Sequence, residues 1–187
     1  MLERLVDKYI RFQTERGLLL NEEKGVYRYG YILLLETFIN CMVSLLIGLV
    51  MKDMISVLIF LFTFIPLRSY AGGYHADKVW KCILLSNFCI VFVILLARVI
   101  DMLNYVNVLK SIDVFIDIII FLLSPVDSDK KTLSNNERKV YKRIVFYILA
   151  FQVVFSVLLS DRAEIVALAH IIIMVSICQQ KKRNVEL

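Results

Sequence analysis

The chain has 187 residues, of which 59% are hydrophobic, with a mean hydropathy of +0.73 and a formal net charge of +5. Soluble domains hold about 45–50% apolar residues, so this composition argues against a soluble nucleic-acid-binding domain as the reason for the basic charge; beside apolar runs, Lys and Arg flank membrane spans and orient them. Cysteines at 41, 82, 89 and 178 show no C-x-x-C spacing, which leaves no sign of a disulfide framework or a zinc knuckle.

At the N-terminus, Leu2, Leu5, Val6, Tyr9, Ile10 and Phe12 recur at largely helical spacing, with Arg4, Lys8, Arg11 and Glu15 between them. The pattern predicts an amphipathic helix, either on the anionic membrane face or packed on another part of the protein. It lacks the basic, apolar and small-residue zones of a signal peptide, so the segment is expected on the mature protein. Six apolar segments then approach the ~20 residues that cross a bilayer: 31–51, 54–67, 83–100, 106–123, 144–160 and 163–178. The second is short and is expected to tilt or extend toward Tyr70. The fourth carries Lys110, Asp113 and Asp117, so it is not a simple lipid-facing helix.

Charge supports the same count. Arg4, Lys8, Arg11, Arg16, Lys24 and Arg28 precede the first span; Arg68, Lys78 and Lys81 lie between the second and third. Lys130, Lys131, Arg138, Lys139, Lys142 and Arg143 lie between the fourth and fifth, and Lys181, Lys182 and Arg183 follow the sixth. These regions hold 18 of the 22 basic residues; only Lys52, Arg98, Lys110 and Arg162 fall in or beside the alternate connections. The alternation predicts cytoplasmic termini and even-numbered loops. The expected architecture is an all-α polytopic membrane protein of six transmembrane helices with an N-terminal amphipathic helix. It forms a single integral membrane domain over 1–187: a cytoplasmic amphipathic segment at 1–28, a six-span bundle at 31–178 and a cytoplasmic basic tail at 179–187.

One stretch stands apart. Residues 68–82, Arg-Ser-Tyr-Ala-Gly-Gly-Tyr-His-Ala-Asp-Lys-Val-Trp-Lys-Cys, gather two of six glycines, one of two histidines, the only Trp and one Cys at a membrane boundary. Paired glycines break a helix and permit close backbone approach. His75 followed by Cys82 supplies the minimal base and nucleophile for acyl transfer, since imidazole takes the thiol proton and returns it to a leaving amine. On one continuous helix a seven-residue separation puts both on one face but ~10.5 Å apart along the axis. Direct contact therefore requires His75 to belong to an irregular segment and fold back toward a helix starting near Asp77. Asp77 has two readings, an orienting partner for His75 or a solvated boundary carboxylate. Arg68 has two as well, a positive-inside anchor or a clamp for a substrate carboxylate or an oxyanion. A metal site of His75, Asp77 and Cys82 matches no standard ligand spacing, and no cofactor or metal is expected.

The string Arg68-Ser-Tyr-Ala-Gly-Gly-Tyr-His-Ala followed by Cys82 resembles the signature of AgrB, the accessory gene regulator B family of Gram-positive peptide quorum-sensing systems. Length, six spans, the basic N-terminus and the Ser-Pro-Val-Asp run at 124–127 are similar to the family too. The resemblance implies a membrane-embedded cysteine endopeptidase with His75 and Cys82 as its catalytic pair and with Arg68, Gly72 and Gly73 as motif positions for substrate or oxyanion binding. It also implies an AgrD-like precursor peptide with an amphipathic leader, a short core and an acidic tail. Cys82 would attack the bond at the end of the core, and a Cys or Ser inside the core would then close a thiolactone or lactone ring. Further expected partners are the lipid bilayer, in a Gram-positive cell membrane, and a second copy of the chain if it dimerises; nucleic acid is not expected. The rival reading is a small peptide transporter or channel, which would need no thiol at position 82.

The remaining intramembrane polar residues have no assigned chemistry. Glu36 and Asn40 share a helical face that is costly to expose to lipid, as do Asp113 and Asp117. Each pair either lines a path or bonds another helix; His170 is read as structural. Ser69 and Ser86 have no second base nearby in sequence.

Overall fold

A computed structural model describes residues 2–74, 79–127 and 133–186. Every element described is helical. The order is α1 (Leu2–Glu15), α2 (Lys24–Val50), α3 (Met54–Ala71), α4 (Val79–Met102), α5 (Val106–Leu123), α6 (Asn135–Leu158) and α7 (Ala163–Glu186), with short 3-10 turns at Asn21–Glu23 and Ser160–Arg162. The six apolar segments correspond to α2 through α7, and the helices run past the apolar parts because backbone hydrogen bonding continues into the polar flanks. α6 starts nine residues before its apolar segment. Ser134 caps it by accepting from the Glu137 amide, while the Glu137 carboxylate accepts from the Ser134 amide, a reciprocal box that fixes the start.

The chain divides into two compact units, Met1–Val43 and Ser44–Leu187. In the first, Val6 and Ile10 of α1 and Leu19 bury themselves together, with Tyr31, Ile32 and Leu35 of α2 packed against them. Tyr9 meets Tyr31 edge-on at 5.3 Å, Gln13 donates to the Tyr31 hydroxyl at 3.1 Å, and Arg28 donates to Asp7 at 2.7 Å. Leu5, Tyr9 and Phe12 remain exposed along a neighbouring stripe. α1 thus carries two apolar lines: one packs on α2, and the other is exposed.

In the second unit α7 is the centre. Residues 163–170 are all buried, and a helix buried on every side is surrounded by others. Ile165, Val166, Leu168 and Ala169 pack with Val57 and Phe60 of α3 and Ile90, Val93 and Ile94 of α4. Farther along, Ile173 and Ile177 pack with Leu67 and Ala71 of α3, Ile116 and Ile120 of α5, and Val145 and Leu149 of α6. The outward faces are apolar as well: Phe88, Phe92 and Leu95 of α4 and Phe151, Val154 and Val157 of α6 are exposed. In water such a surface would drive aggregation; around a bundle of this kind it is the lipid-facing belt.

By length and composition α2, α3, α4, α6 and α7 can each cross a membrane. α5 has a span's length but carries Lys110, Asp113 and Asp117. Its buried residues are Asp113, Ile116, Asp117 and Ile120, spaced three, one and three apart on one face, whereas Val114, Phe115, Ile118, Ile119 and Leu122 are exposed. Both carboxylates therefore point into the bundle and the apolar side points out, the arrangement lipid demands of a charged span. The chain is an all-α polytopic membrane protein.

Candidate active site

α3 ends because of Gly72, whose amide donates back to Arg68 O at 3.3 Å. With φ +80° and ψ −163°, Gly72 occupies a region that side chains exclude. A Cβ there would also run into the carbonyl oxygen of Val126. Gly73, at φ +134°, is equally enclosed: its Cβ would strike the Arg68 guanidinium and, at 2.8 Å, Ser176 Oγ. Tyr74 is then pinned, its amide donating to Ser176 O at 3.0 Å and lying 3.1 Å from Ser176 Oγ, while its carbonyl accepts from Arg68 Nη2. Arg183 stands over the Tyr74 ring at 5.8 Å. The break expected at the paired glycines is thus a turn clamped between α3 and α7.

The Ser124–Asp127 segment forms the other wall. Val126 N donates to Ala71 O at 3.0 Å, tying the segment to the end of α3. Asp127 accepts from Arg138 Nη2 at 2.6 Å and from the Leu133 amide at 3.1 Å, and its carbonyl accepts from Asn184 at 3.1 Å. Arg138 Nη1 also reaches Pro125 O at 3.1 Å. Lys142 donates to the Ser124 carbonyl at 2.9 Å and to that of Phe121, so a cation closes the C-terminal end of α5. Ser176, Arg138 and Lys142 escaped the sequence reading because each acts through a distant backbone group. Their only local signals were a polar residue in an apolar run and a cluster of cations.

Cys82 is half-buried, the fourth residue of α4 as described, and in no disulfide. His75 and Asp77 lie outside the described residues. The ends of the segment that carries them are described: Tyr74 held against α7, and α4 from Val79, one turn before the thiol. Of the other cysteines, Cys41 and Cys89 are half-buried and Cys178 is exposed on α7. Glu36 is buried, as its share of a polar face in α2 implied.

A second polar constellation lies deep in the bundle. His170 of α7 is fully buried, with Nδ1 3.0 Å from Asp113 Oδ1 and 2.9 Å from Asp117 Oδ1, and Nε2 3.0 Å from Gln152 Oε1. Gln152 Nε2 donates to Thr63 O at 2.8 Å, which turns its Oε1 toward the imidazole and makes Nε2 the donor there. One ring N–H cannot be aimed at two carboxylates. It is aimed at Asp113, and neither Asp117 oxygen has a hydrogen-bond partner among the described residues. Two carboxylates this close are accommodated by an imidazolium between them, by a proton held on one of them, or by a metal ion, since the three ligand atoms lie within 4.8 Å of one another. Sequence spacing paired Asp113 with Asp117 but had no means of bringing His170 to them.

Comparisons with known proteins converge on one family. The profile of AgrB, accessory gene regulator B, matches residues 5–180. AgrB-like protein 2 of Clostridium perfringens (strain 13, type A) is 34% identical over 124 residues, 64% of this chain and 58% of that protein. An AgrB-like protein of Clostridium perfringens (strain SM101, type A) is 29% identical over 163 residues, 75% of this chain and 76% of that protein. The match therefore spans little more than half the length of the first of these relatives. No solved structure matches the chain. With the profile covering nearly its whole length, the chain belongs to the AgrB family.

Proposed function

We propose that the protein is a membrane-embedded cysteine endopeptidase that processes an AgrD-like peptide precursor in quorum sensing, with Cys82 as nucleophile and His75 as its base. What carries this reading is the clamped turn at 72–74. Arg68 and Ser176 hold the chain at Tyr74, the residue before His75, and Cys82 stands on α4. His75 takes the thiol proton as Cys82 Sγ attacks the carbonyl carbon at the end of the pheromone core, and returns it to the departing amine of the tail. The thioester left on Cys82 is attacked by a Cys or Ser within the core, which closes the ring and frees the thiol. Arg68, Gly72 and Gly73 are positioning residues in this scheme, since the guanidinium already holds the Tyr74 carbonyl.

Family membership supports the AgrD-like substrate, and a chain of net charge +5 suits an acidic tail. Both termini, the 72–78 connection and the 124–134 connection are cytoplasmic, in the cell membrane of a Gram-positive bacterium. The test is tail release from a precursor by purified protein. Cys82→Ala should fall below about one thousandth of wild type, Cys82→Ser should be severely impaired, and Cys41→Ala, Cys89→Ala and Cys178→Ala should cleave normally. A precursor whose core nucleophile is changed to Ala should accumulate on Cys82 as an adduct released by hydroxylamine. Tail release by Cys82→Ala at the wild-type rate would discard the peptidase in favour of a small transporter.

A further inference from the structure

Where α5 ends and α6 begins, a cavity of about 810 Å³ opens to the outside. Among the described residues its lining includes Arg138, Lys139, Lys142, Arg143 and Lys181 and not one carboxylate. Two of the cations are accounted for: Arg138 by Asp127, and Lys142 by the carbonyls at the end of α5. Lys139, Arg143 and Lys181 are exposed and have no carboxylate partner among the described residues. They repel what surrounds them. Lys139 and Arg143 are like charges four apart on one helix, as are Arg138 and Lys142, a spacing that weakens a helix. Lys181 adds its own repulsion to Lys142. Five cations around one hollow form a site for a multiply hydrogen-bonding anion.

The other wall says which anion. Leu122, Phe146 and Tyr147 also line the cavity, and they are 66%, 53% and 69% exposed. They continue into the outward apolar face of α6 at Phe151, Val154 and Val157. From Arg143 to Tyr147 is roughly 6 Å along the helix axis, so the cations stand one turn above the start of the lipid belt, with a tyrosine at the boundary. A soluble anion has no use for that apolar wall, whereas a molecule with a phosphate at one end and acyl chains at the other uses both. We infer that this pocket binds the headgroup of an anionic phospholipid, with the phosphate among Lys139, Arg143 and Lys181 and the acyl chains against Phe146 and Tyr147. The bound lipid relieves the repulsion within the pocket. The site is independent of the chemistry at Cys82.

Native mass spectrometry of the purified full-length chain in detergent tests this with phosphatidylglycerol and phosphatidylethanolamine of equal chain length. Phosphatidylglycerol should bind about tenfold more tightly, one molecule first. Lys139→Gln/Arg143→Gln/Lys181→Gln should lose that preference, while Arg4→Gln/Lys8→Gln/Lys24→Gln, with the same loss of charge, should keep it. Without lipid the pocket variant should melt no lower than wild type, because it has shed repulsion; if it does not fold, Arg143→Gln alone should weaken binding about threefold. Equal binding of the two lipids, or equal loss in both triple variants, would overturn the inference. So would glycerol phosphate binding as tightly as the lipid, which would make this a soluble-anion site. A Glu-rich peptide that binds more tightly than the lipid and fails on the pocket variant would assign the pocket to an acidic segment instead.

Discussion

Replacing one hydrogen of Gly72 by a methyl group forces two separate conflicts. The backbone lies where side chains are excluded, at a cost of about 1–3 kcal/mol, and the new Cβ is driven into the Val126 carbonyl. Val126 cannot retreat freely, because its own amide is bonded to Ala71 O at 3.0 Å. Gly72→Ala should therefore lower stability by about 2 kcal/mol or more and reduce tail release with it, by moving the turn that leads to His75. Gly30 is the control, since a Cβ there meets nothing within 4 Å. Gly30→Ala, in the interior of α2, should be neutral or stabilising by up to about 1 kcal/mol. Thermal unfolding in detergent and a tail-release assay on the two variants decide it; Gly72→Ala melting with wild type would remove the clamp from the account. That a turn would occur here was legible, because paired glycines are a local signal. Its partners Ser176 and Val126 were not, because a residue's neighbours across 102 positions, the separation of Tyr74 from Ser176, leave no trace in spacing.

α5 carries the same lesson at the level of an element. Hydropathy located it at 106–123, because a span is a one-dimensional property of composition. The two aspartates four apart fixed which face turns inward, since lipid excludes them. What spacing could not supply was the partner: Asp113 and His170 are 57 residues apart, and a lone histidine in an apolar run looks like a core residue. With the helices assembled, His170 joins α5 to α7, and Gln152 extends the link to α6 and α3. The network should then behave as a unit. His170→Leu leaves two carboxylates facing each other without a cation and should cost about 3 kcal/mol. Replacing all three, Asp113→Leu, Asp117→Leu and His170→Leu, removes the charges along with their partner and should recover much of that loss. Thermal melts in detergent compare the two variants. If the single variant is as stable as wild type, the network does not hold α5 in the bundle.

Over the whole molecule, orientation follows from how the cations are spent. Four basic residues stand against the alternation of the other 18, and the structure neutralises two of them at one place. Arg162 Nη1 lies 2.7 Å from Asp53 Oδ1 and Arg98 Nη2 lies 3.7 Å from Asp53 Oδ2, with Arg98 also donating to Met51 O at 2.9 Å. Burial pushes the Asp53 carboxyl up, but hydrogen bonds from Ser56 and Arg162 outweigh it and hold the group below the usual carboxylate range, so it stays charged at neutral pH. The end of the bundle bearing the α2–α3 and α6–α7 connections is therefore nearly balanced. The end bearing Lys81, Lys139 and Arg143 keeps exposed cations, and that asymmetry predicts that this end faces the cytoplasm. Single cysteines in place of Asn136, at the start of α6, and Asp161, in the turn before α7, report on the two ends in a background lacking the native thiols. From outside intact cells an impermeant thiol reagent should label position 161 and not 136, and 136 should react once the membrane is opened. Labelling at 136 but not at 161 would invert the bundle and turn the active site away from a precursor made in the cytoplasm.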